Sequence, residues 1–258
     1  MYNSGLMNLL IILLVCFFGS LISLVLAYAF CKLNMVKYAD YFVSFAVGSL
    51  LGASFLEIIP HAYELSGDLH QVSFVVLIGI LAFFTLEKFL VWRHCHGSHC
   101  ENHSPVVNND LKKGSILIIG DCFHNFIDGI LISSAFLVDI KLGLITALAI
   151  IAHEIPHEIS NFSILINSGY RLSRALLLNI LSGFAMIFGA ILAYFILNDL
   201  ADLIPFILSL AASSMIYVAI SDLIPSLHKK AKIIQTFQQI FSIFLGVLVI
   251  YFLHSFLH

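Results

Sequence analysis

Eight stretches of about 20 apolar residues dominate this sequence of 258 residues. A helix of that length spans the ~30 Å hydrocarbon core of a bilayer. The stretches cover roughly residues 6–31, 41–63, 71–92, 114–137, 142–167, 173–197, 203–226 and 234–256. Charged residues make up only 10% of the chain, whereas a soluble domain has about 25%, so a water-exposed fold could not bury these stretches. We expect an all-α, polytopic membrane protein in a lipid bilayer, with a single transmembrane domain over residues 1–258.

The lysines and arginines indicate how the helices are oriented. All of them except Lys141 lie in or beside the connections that follow the first, third, fifth and seventh apolar stretches. Cytoplasmic loops collect Lys and Arg, so we expect both termini outside and the long connection at about 93–113 in the cytoplasm. The first stretch is expected to be a retained span and not a signal peptide, because no positive residue precedes it. A bacterial inner membrane fits the short chain, and no basic stripe suggests a nucleic-acid partner.

A short pattern recurs in the second and seventh stretches, where an acidic residue lies three positions before a proline. The two copies are Glu57 with Pro60 and Asp222 with Pro225. These two spans run in opposite directions, so the first three and last three helices are candidates for an inverted repeat around the middle two, a 3+2+3 arrangement. Many transporters are built in this way, with the substrate site near the midplane. Chance recurrence of the pattern is the alternative.

Ionisable and polar side chains concentrate inside the fourth and fifth stretches, where they are costly and mark a pathway or site. Residues three and four apart share a helix face, so each stretch presents polar rows to one side. The rows contain Asp121, His124, Asn125 and Asp128 in the fourth stretch, and His153, Glu154, His157, Glu158 and Asn161 in the fifth. At ~1.5 Å rise per residue, both groups lie ~15 Å into the membrane, close to its midplane.

Imidazole nitrogen together with carboxylate oxygen is the ligand set of a borderline divalent ion. We expect Zn²⁺ as transported cargo, with Fe²⁺, Mn²⁺ or Cd²⁺ as alternatives and no prosthetic group. The candidate metal ligands are His124, Asn125, Asp128, His153, Glu154, His157 and Glu158. A proton relay and a purely structural polar cluster are the competing interpretations.

The sequence His153-Glu154-x-x-His157 also matches the zinc-protease pattern of two histidine ligands and a glutamate base. An intramembrane metalloprotease is therefore the alternative function from a different class. Pro156 inside the motif disfavours a straight helix that carries ligands, and a hydrolase has no need of a second polar row. We favour transport, and we expect no enzymatic activity.

Two further groups of residues are candidates for steps before and after the midplane. Glu57 and His61 lie at the external end of the second stretch and are a candidate entrance for the ion. His254 is expected at the surface or at an interface. In the cytoplasmic loop, thiolates and imidazoles form a candidate soft-metal site that receives departing ions. Its residues are His94, Cys95, His96, His99, Cys100 and His103.

The motifs His124-Asn-Phe-Ile-Asp128-Gly and His153-Glu-Ile-Pro-His157-Glu resemble the paired signatures of the ZIP (Zrt/Irt-like) family of divalent-metal transporters, in a form closest to its LIV-1 branch. The eight spans and the histidine-bearing loop are similar to that family along the whole chain. The resemblance implies uptake toward the cytosol, by movement of a group of helices that includes the fourth and fifth, with a homodimer left open. It implies His124, Asp128, His153, Glu154 and His157 as main ligands, and a second position lined by Asn125, Asp128, Glu154 and His157.

The sixth stretch departs from the family pattern. Some relatives have a glutamate there that completes a second metal site. The segment Ser182–Ala190 contains no carboxylate, and Met186 takes the place of the acid. We therefore expect one tightly bound ion per protomer.

Overall fold

The structure is a computed structural model that describes residues 2–33, 38–95, 109–228 and 233–257. Within these ranges the chain forms eight long helices, and the predicted all-α class is confirmed. The first four are α1 (Tyr2–Lys32), α2 (Ala39–Ser66), α3 (Leu69–Cys95) and α4 (Asn109–Val138). The last four are α5 (Ile140–Asn167), α6 (Leu172–Asp199), α7 (Ala201–Leu227) and α8 (Ile233–Leu257).

All eight helices are long and apolar enough to cross a membrane. α5 and α2 occupy the centre of the bundle, since 72% and 67% of their most apolar windows are buried, against 17% for α8 and 11% for α3. The outer helices expose large apolar side chains such as Phe74 and Phe241. Lipid accommodates such a surface, whereas a soluble protein rarely exposes so extensive an apolar face. The chain is a multi-pass membrane protein, as predicted.

The long connection predicted at 93–113 is partly helical. α3 continues to Cys95, and α4 already begins at Asn109. A helix satisfies its backbone hydrogen bonds internally in lipid and in water alike, so it does not have to stop where hydropathy falls. Hydropathy marks the membrane span but not the end of the helix, which accounts for the difference.

α2 and α7 are each interrupted by a π-helical stretch close to a proline. In α2 the stretch is Ser54–Ile58, followed by Pro60; in α7 it is Val218–Leu223, followed by Pro225. Proline has no N–H to donate to the carbonyl four residues earlier, and a wider turn is one way to absorb the lost hydrogen bond. π-bulges also occur frequently at functional sites.

α4 and α5 are joined by a single residue, Asp139. Its carboxylate accepts hydrogen bonds from the backbone nitrogens of Lys141 (2.9 Å) and Leu142 (3.4 Å). The side chain therefore caps the free N–H groups at the start of α5. A connection this short makes the two helices antiparallel neighbours and restricts the register between their polar rows.

Glycines bring α4 and α6 into backbone contact near the polar rows. A Cβ atom added at Gly129 would overlap the backbone oxygen of Met186, and one at Gly189 would overlap that of Phe126. α2 and α8 approach in the same way, where Gly48 faces the backbone oxygen of Ile243. Small residues commonly permit such close helix packing in membranes.

We predict that Gly129→Ala destabilises the protein by about 1–3 kcal/mol, because overpacking forces the two backbones apart. The thermal unfolding midpoint of the detergent-purified protein measures the effect. Gly120→Ala is the matched control on the same helix, since its Cβ would meet nothing within 4 Å. Alanine is the better helix former by about 1 kcal/mol, so this variant should be neutral or more stable. Equal behaviour of the two variants would contradict the packing proposed for α4 and α6.

Candidate metal site

Four ligand atoms from α4 and α5 converge between the two helices. His124 and Asp128 of α4 and His153 and Glu154 of α5 each contribute one atom, and all four atoms lie within 4.8 Å of one another. The Nε2 atoms of His124 and His153 are 3.1 Å apart. Asp128 Oδ2 lies 3.6 Å from the first of these nitrogens and 3.5 Å from the second. Glu154 Oε1 lies 3.8 Å from His124 Nε2. We call these residues the four-residue cluster.

The geometry of the four-residue cluster suits a tetrahedral ion. Zinc lies about 2.0–2.2 Å from nitrogen and oxygen ligands, which places neighbouring ligand atoms about 3.3–3.6 Å apart. The separations of 3.1 to 3.8 Å bracket that range. Asp128 Oδ2 and Glu154 Oε1 are buried and accept no hydrogen bond from the residues that the structure describes. Two carboxylate oxygens without a donor are acceptors that a cation can satisfy.

His157, which the resemblance includes among the main ligands, lies beside the four-residue cluster. Its Nδ1 atom is 3.3 Å from Asp121 Oδ1, and its ring centroid is 4.8 Å from that of His124. Asn161 donates a hydrogen bond of 2.7 Å from Nδ2 to the same Asp121 oxygen. His157 therefore connects the cluster to a second polar group one turn away along both helices.

The other two candidate ligands, Asn125 and Glu158, are buried next to these groups. Asn125 Nδ2 donates to the backbone oxygen of Asp121 at 3.2 Å, which leaves its Oδ1 without a partner among the described residues. Glu158 lies within electrostatic range of Asp121 and Glu154. Neither residue contributes an atom to the four-residue cluster.

Four residues near the site were not among the predicted ligands. Asp121 and Asn161 belonged to the polar rows, and the spacing of four residues from Asn125 and His157 was the signal that could have included them. α6 adds Asn179 and Ser182, which are both buried. Ser182 lies close enough to interact with the Asp121 carboxylate, although its hydroxyl donates to the backbone oxygen of Asn179. Only their polarity within an apolar helix could have indicated these two.

Access to the site is asymmetric. The side chains of His124 and His157 are 22% and 25% exposed, whereas those of Asp128 and Glu154 are 3% and 2% exposed. In the direction of the α4–α5 connection, many apolar and hydroxyl side chains of the next turns are buried. They include Leu131, Ile132, Ser133, Ala149 and Ile150. The partly exposed members of the site are thus the imidazoles on the side where α4 begins, and its two carboxylates, on the side of Asp139, are buried.

The candidate entrance residue Glu57 is fully buried in the π-helical stretch of α2. Its Oε1 atom lies 2.7 Å from Nδ1 of His254 on α8. His61 contacts the backbone oxygen of Glu57 with its Nδ1 atom at 2.8 Å. The sequence placed His254 at a surface or interface without a role; its side chain is 41% exposed and is also the imidazole next to the Glu57 carboxylate.

The predicted loop site falls at the edge of the described residues. His94 and Cys95 are the last two residues of α3. His96, His99, Cys100 and His103 lie outside the described residues. A metal site in this loop therefore stays a prediction.

The arrangement of His153, Glu154 and His157 differs from that of a zinc protease. In that motif both histidines bind the ion and the glutamate stays free as a base. Here Glu154 contributes an atom to the four-residue cluster, while His157 turns its Nδ1 atom to Asp121. The geometry gives the metalloprotease alternative no support.

Comparison with known proteins agrees with the two motifs. The ZIP zinc transporter family model matches residues 6–115 and 93–254. Zinc transporter zipt-7.2 of Caenorhabditis elegans is 29% identical, over 81% of this chain and 56% of that protein. Zinc transporter YKE4 of Saccharomyces cerevisiae is 27% identical, over 73% of this chain and 61% of that protein. Zinc transporter ZIP13 of Mus musculus is 28% identical, over 83% of this chain and 69% of that protein.

The chain thus spans between 56% and 69% of the length of these three curated relatives. The match to the family model, in contrast, covers nearly the whole chain, and it includes both motifs and all eight helices. The family predicted from the motifs is confirmed: the chain belongs to the ZIP zinc transporter family.

Proposed function

We propose that this protein carries a divalent metal ion, preferentially Zn²⁺, across the bilayer to the cytosol through the four-residue cluster. The observation that carries the proposal is the convergence of four ligand atoms between two membrane-spanning helices. Ionisable residues are rare inside membrane spans and mark ion paths when they occur. The relatives are named zinc transporters, and a family of transporters gives no reason to expect an enzyme.

The composition of the four-residue cluster favours zinc. Two imidazole nitrogens and two carboxylate oxygens form a borderline ligand set, which suits Zn²⁺ in a tetrahedral arrangement. Fe²⁺, Mn²⁺ and Cd²⁺ are the competing cargoes, because the same ligands bind them with other preferred geometries. One tight ion per protomer is expected, since α6 offers Met186 in place of a carboxylate.

The ion's route has a proposed entrance at Glu57. Its carboxylate and the half-exposed imidazole of His254 form a ligand pair between α2 and α8. His61 lies one helical turn from Glu57 toward the end of α2 and provides a further imidazole. This pair attracts the hydrated cation before it reaches the midplane. The ligands of the four-residue cluster then offset the free-energy cost of removing water from the ion.

The positive residues indicate the direction of transport. If the Lys- and Arg-rich connections are cytoplasmic, both termini lie outside and the start of α4 faces the cytosol. The exposed sides of His124 and His157 then open to the cytosol, so the described conformation is one from which the ion leaves. The loop with the candidate ligands His94, Cys95, His96, His99, Cys100 and His103, here called the His/Cys loop, connects α3 to α4 on that side and is the proposed receiver of the ion. A bacterial inner membrane and a homodimer remain expectations from the sequence and the resemblance.

The contacts between helices support an inverted repeat. A pseudo-twofold axis that exchanges α1–α3 with α6–α8 also exchanges α4 with α5. The same axis relates the contact between α4 and α6 to the contact between α5 and α1. It also relates the contact between α2 and α8 to the contact between α7 and α3. All four of these contacts are extensive. The α4–α5 and α1–α6 contacts join two of these pairs into one group, which contains α1, α4, α5 and α6, and the α2–α7 contact joins the other two pairs. Movement of this group against the other four helices would expose the site to alternate sides.

We predict that His153→Ala and Asp128→Ala each weaken Zn²⁺ binding to the purified protein by more than the about 10- to 100-fold that loss of an outer-shell partner costs, because each removes one ligand of four. Equilibrium ⁶⁵Zn²⁺ binding measures the change. His70→Ala and Asp202→Asn are matched controls, since both residues are exposed outside the site. The loop ligands are present in every variant, so a difference between variants reports on the four-residue cluster.

We further predict that protein reconstituted in liposomes takes up ⁶⁵Zn²⁺ and that both variants reduce uptake to the level of empty liposomes. The two controls should retain the wild-type rate. Competition by Fe²⁺, Mn²⁺ and Cd²⁺ ranks the cargoes. Uptake retained by His153→Ala and Asp128→Ala together would show that the ion passes elsewhere.

A further inference from the structure

Next to the four-residue cluster, three polar side chains form a compact group on the side where α4 begins. Asp121 Oδ1 lies 3.3 Å from His157 Nδ1 and 2.7 Å from Asn161 Nδ2. Asn161 Nδ2 and His157 Nδ1 are themselves 3.5 Å apart. A carboxylate, an imidazole and an amide thus share one point between α4 and α5, as the ligands of the four-residue cluster do about one turn away.

The group has acceptor capacity that its protein partners do not use. Asp121 is 3% exposed. The Ser182 hydroxyl approaches its carboxylate but donates to the backbone oxygen of Asn179, and Asp121 Oδ2 accepts no hydrogen bond within the described part of the chain. Asn125 Oδ1, on the next turn of α4, is also buried and has no described partner. A buried carboxylate oxygen without a donor is costly, and a cation satisfies it without requiring another protein donor.

His157 makes the group continuous with the four-residue cluster. Its ring lies 4.8 Å from the ring of His124, whose Nε2 atom belongs to the cluster. Asp121 and His124 are three residues apart, which is ~4.5 Å along a helix. An ion would therefore move by about one helical turn from the first set of ligands to the second, without crossing an apolar layer.

We propose that Asp121, His157 and Asn161 form a second, weaker cation site, to which the ion passes from the four-residue cluster on its way out. This site rests on the proposed transport function. Rotation of the Asn161 amide presents Oδ1 to the ion in place of Nδ2, since the two ends of the amide have nearly the same shape. The ion then has one carboxylate oxygen, one imidazole nitrogen and one amide oxygen.

The charges explain why the second site is the weaker one. Among the proposed ligands, the four-residue cluster has two carboxylates and the second site has one, while Glu158 lies within electrostatic range of both Asp121 and Glu154. His157 is 25% exposed, so water can complete the coordination shell there. A site with less negative charge and more water releases a divalent ion more readily, which suits the last position before the aqueous side.

The test compares Asp121→Asn and Asn161→Asp with the wild type, by equilibrium ⁶⁵Zn²⁺ binding to the purified full-length protein and by uptake into proteoliposomes. Asp121→Asn keeps the size and a hydrogen-bonding group but removes the charge. It should keep the tight equivalent of zinc, weaken a second equivalent by about 10- to 100-fold, and lower the maximal uptake rate with little change in KM. Asn161→Asp adds a carboxylate and should tighten the second equivalent. Asp202→Asn controls for loss of an acid elsewhere.

Two results would overturn the proposal. Loss of the tight equivalent in Asp121→Asn, in a protein that still elutes as a single species, would place Asp121 in the first site. An unchanged second equivalent in both variants would mean that the weaker zinc is bound elsewhere, for example by the His/Cys loop. If Asp121→Asn does not fold, Asn161→Asp still decides, because it retains the Asp121 carboxylate. If the wild type took up no ⁶⁵Zn²⁺ but the two variants changed the second zinc equivalent as predicted, transport would be refuted and the second site would still be supported.

Discussion

Burial of the Asp128 and Glu154 carboxylates within an apolar helix bundle costs free energy that the surrounding structure has to offset. Removing one ion from water costs several kcal/mol even after relaxation. The imidazoles of His124 and His153 face these oxygens at 3.5 to 3.8 Å, which offsets part of that cost when no ion is bound. A divalent cation would be the largest local charge and would satisfy both oxygens at once. The site therefore suits a cation. After the cation leaves, the two imidazoles still face the carboxylate oxygens and offset part of the cost of burying them.

Such a site functions only if α4 and α5 keep their register. Asp139 joins the two helices and caps the start of α5, and the backbone contact at Gly129 and Gly189 holds α6 against α4. In contrast, the interruptions lie in α2 and α7, where the π-helical stretches adjoin Pro60 and Pro225. The helices that carry the ligands are continuous, and the helices that face them contain the breaks. This division fits a movement in which α4 and α5, together with α1 and α6, move as a rigid unit against the group that contains the interrupted helices α2 and α7.

The sequence predicted much of this, because the membrane imposes simple rules. Hydropathy located the eight helices, and the spacing of three and four residues placed His124 with Asp128 and identified the row of His153. Spacing describes the face of a single helix, however, and says nothing of the register between helices. The contact of His157 with Asp121, the contact of Glu57 with His254, and the approach of Ser182 from α6 all depend on that register. None of the three could be predicted from local pattern.

We propose that the transported ion binds among His124, Asp128, His153 and Glu154. X-ray diffraction from crystals of the zinc-loaded protein, collected above and below the zinc absorption edge, tests it most directly. We predict an anomalous peak between α4 and α5, about 2.0–2.2 Å from two imidazole nitrogens and from oxygens of two carboxylates. A peak elsewhere in the bundle, with none between these four side chains, would contradict it.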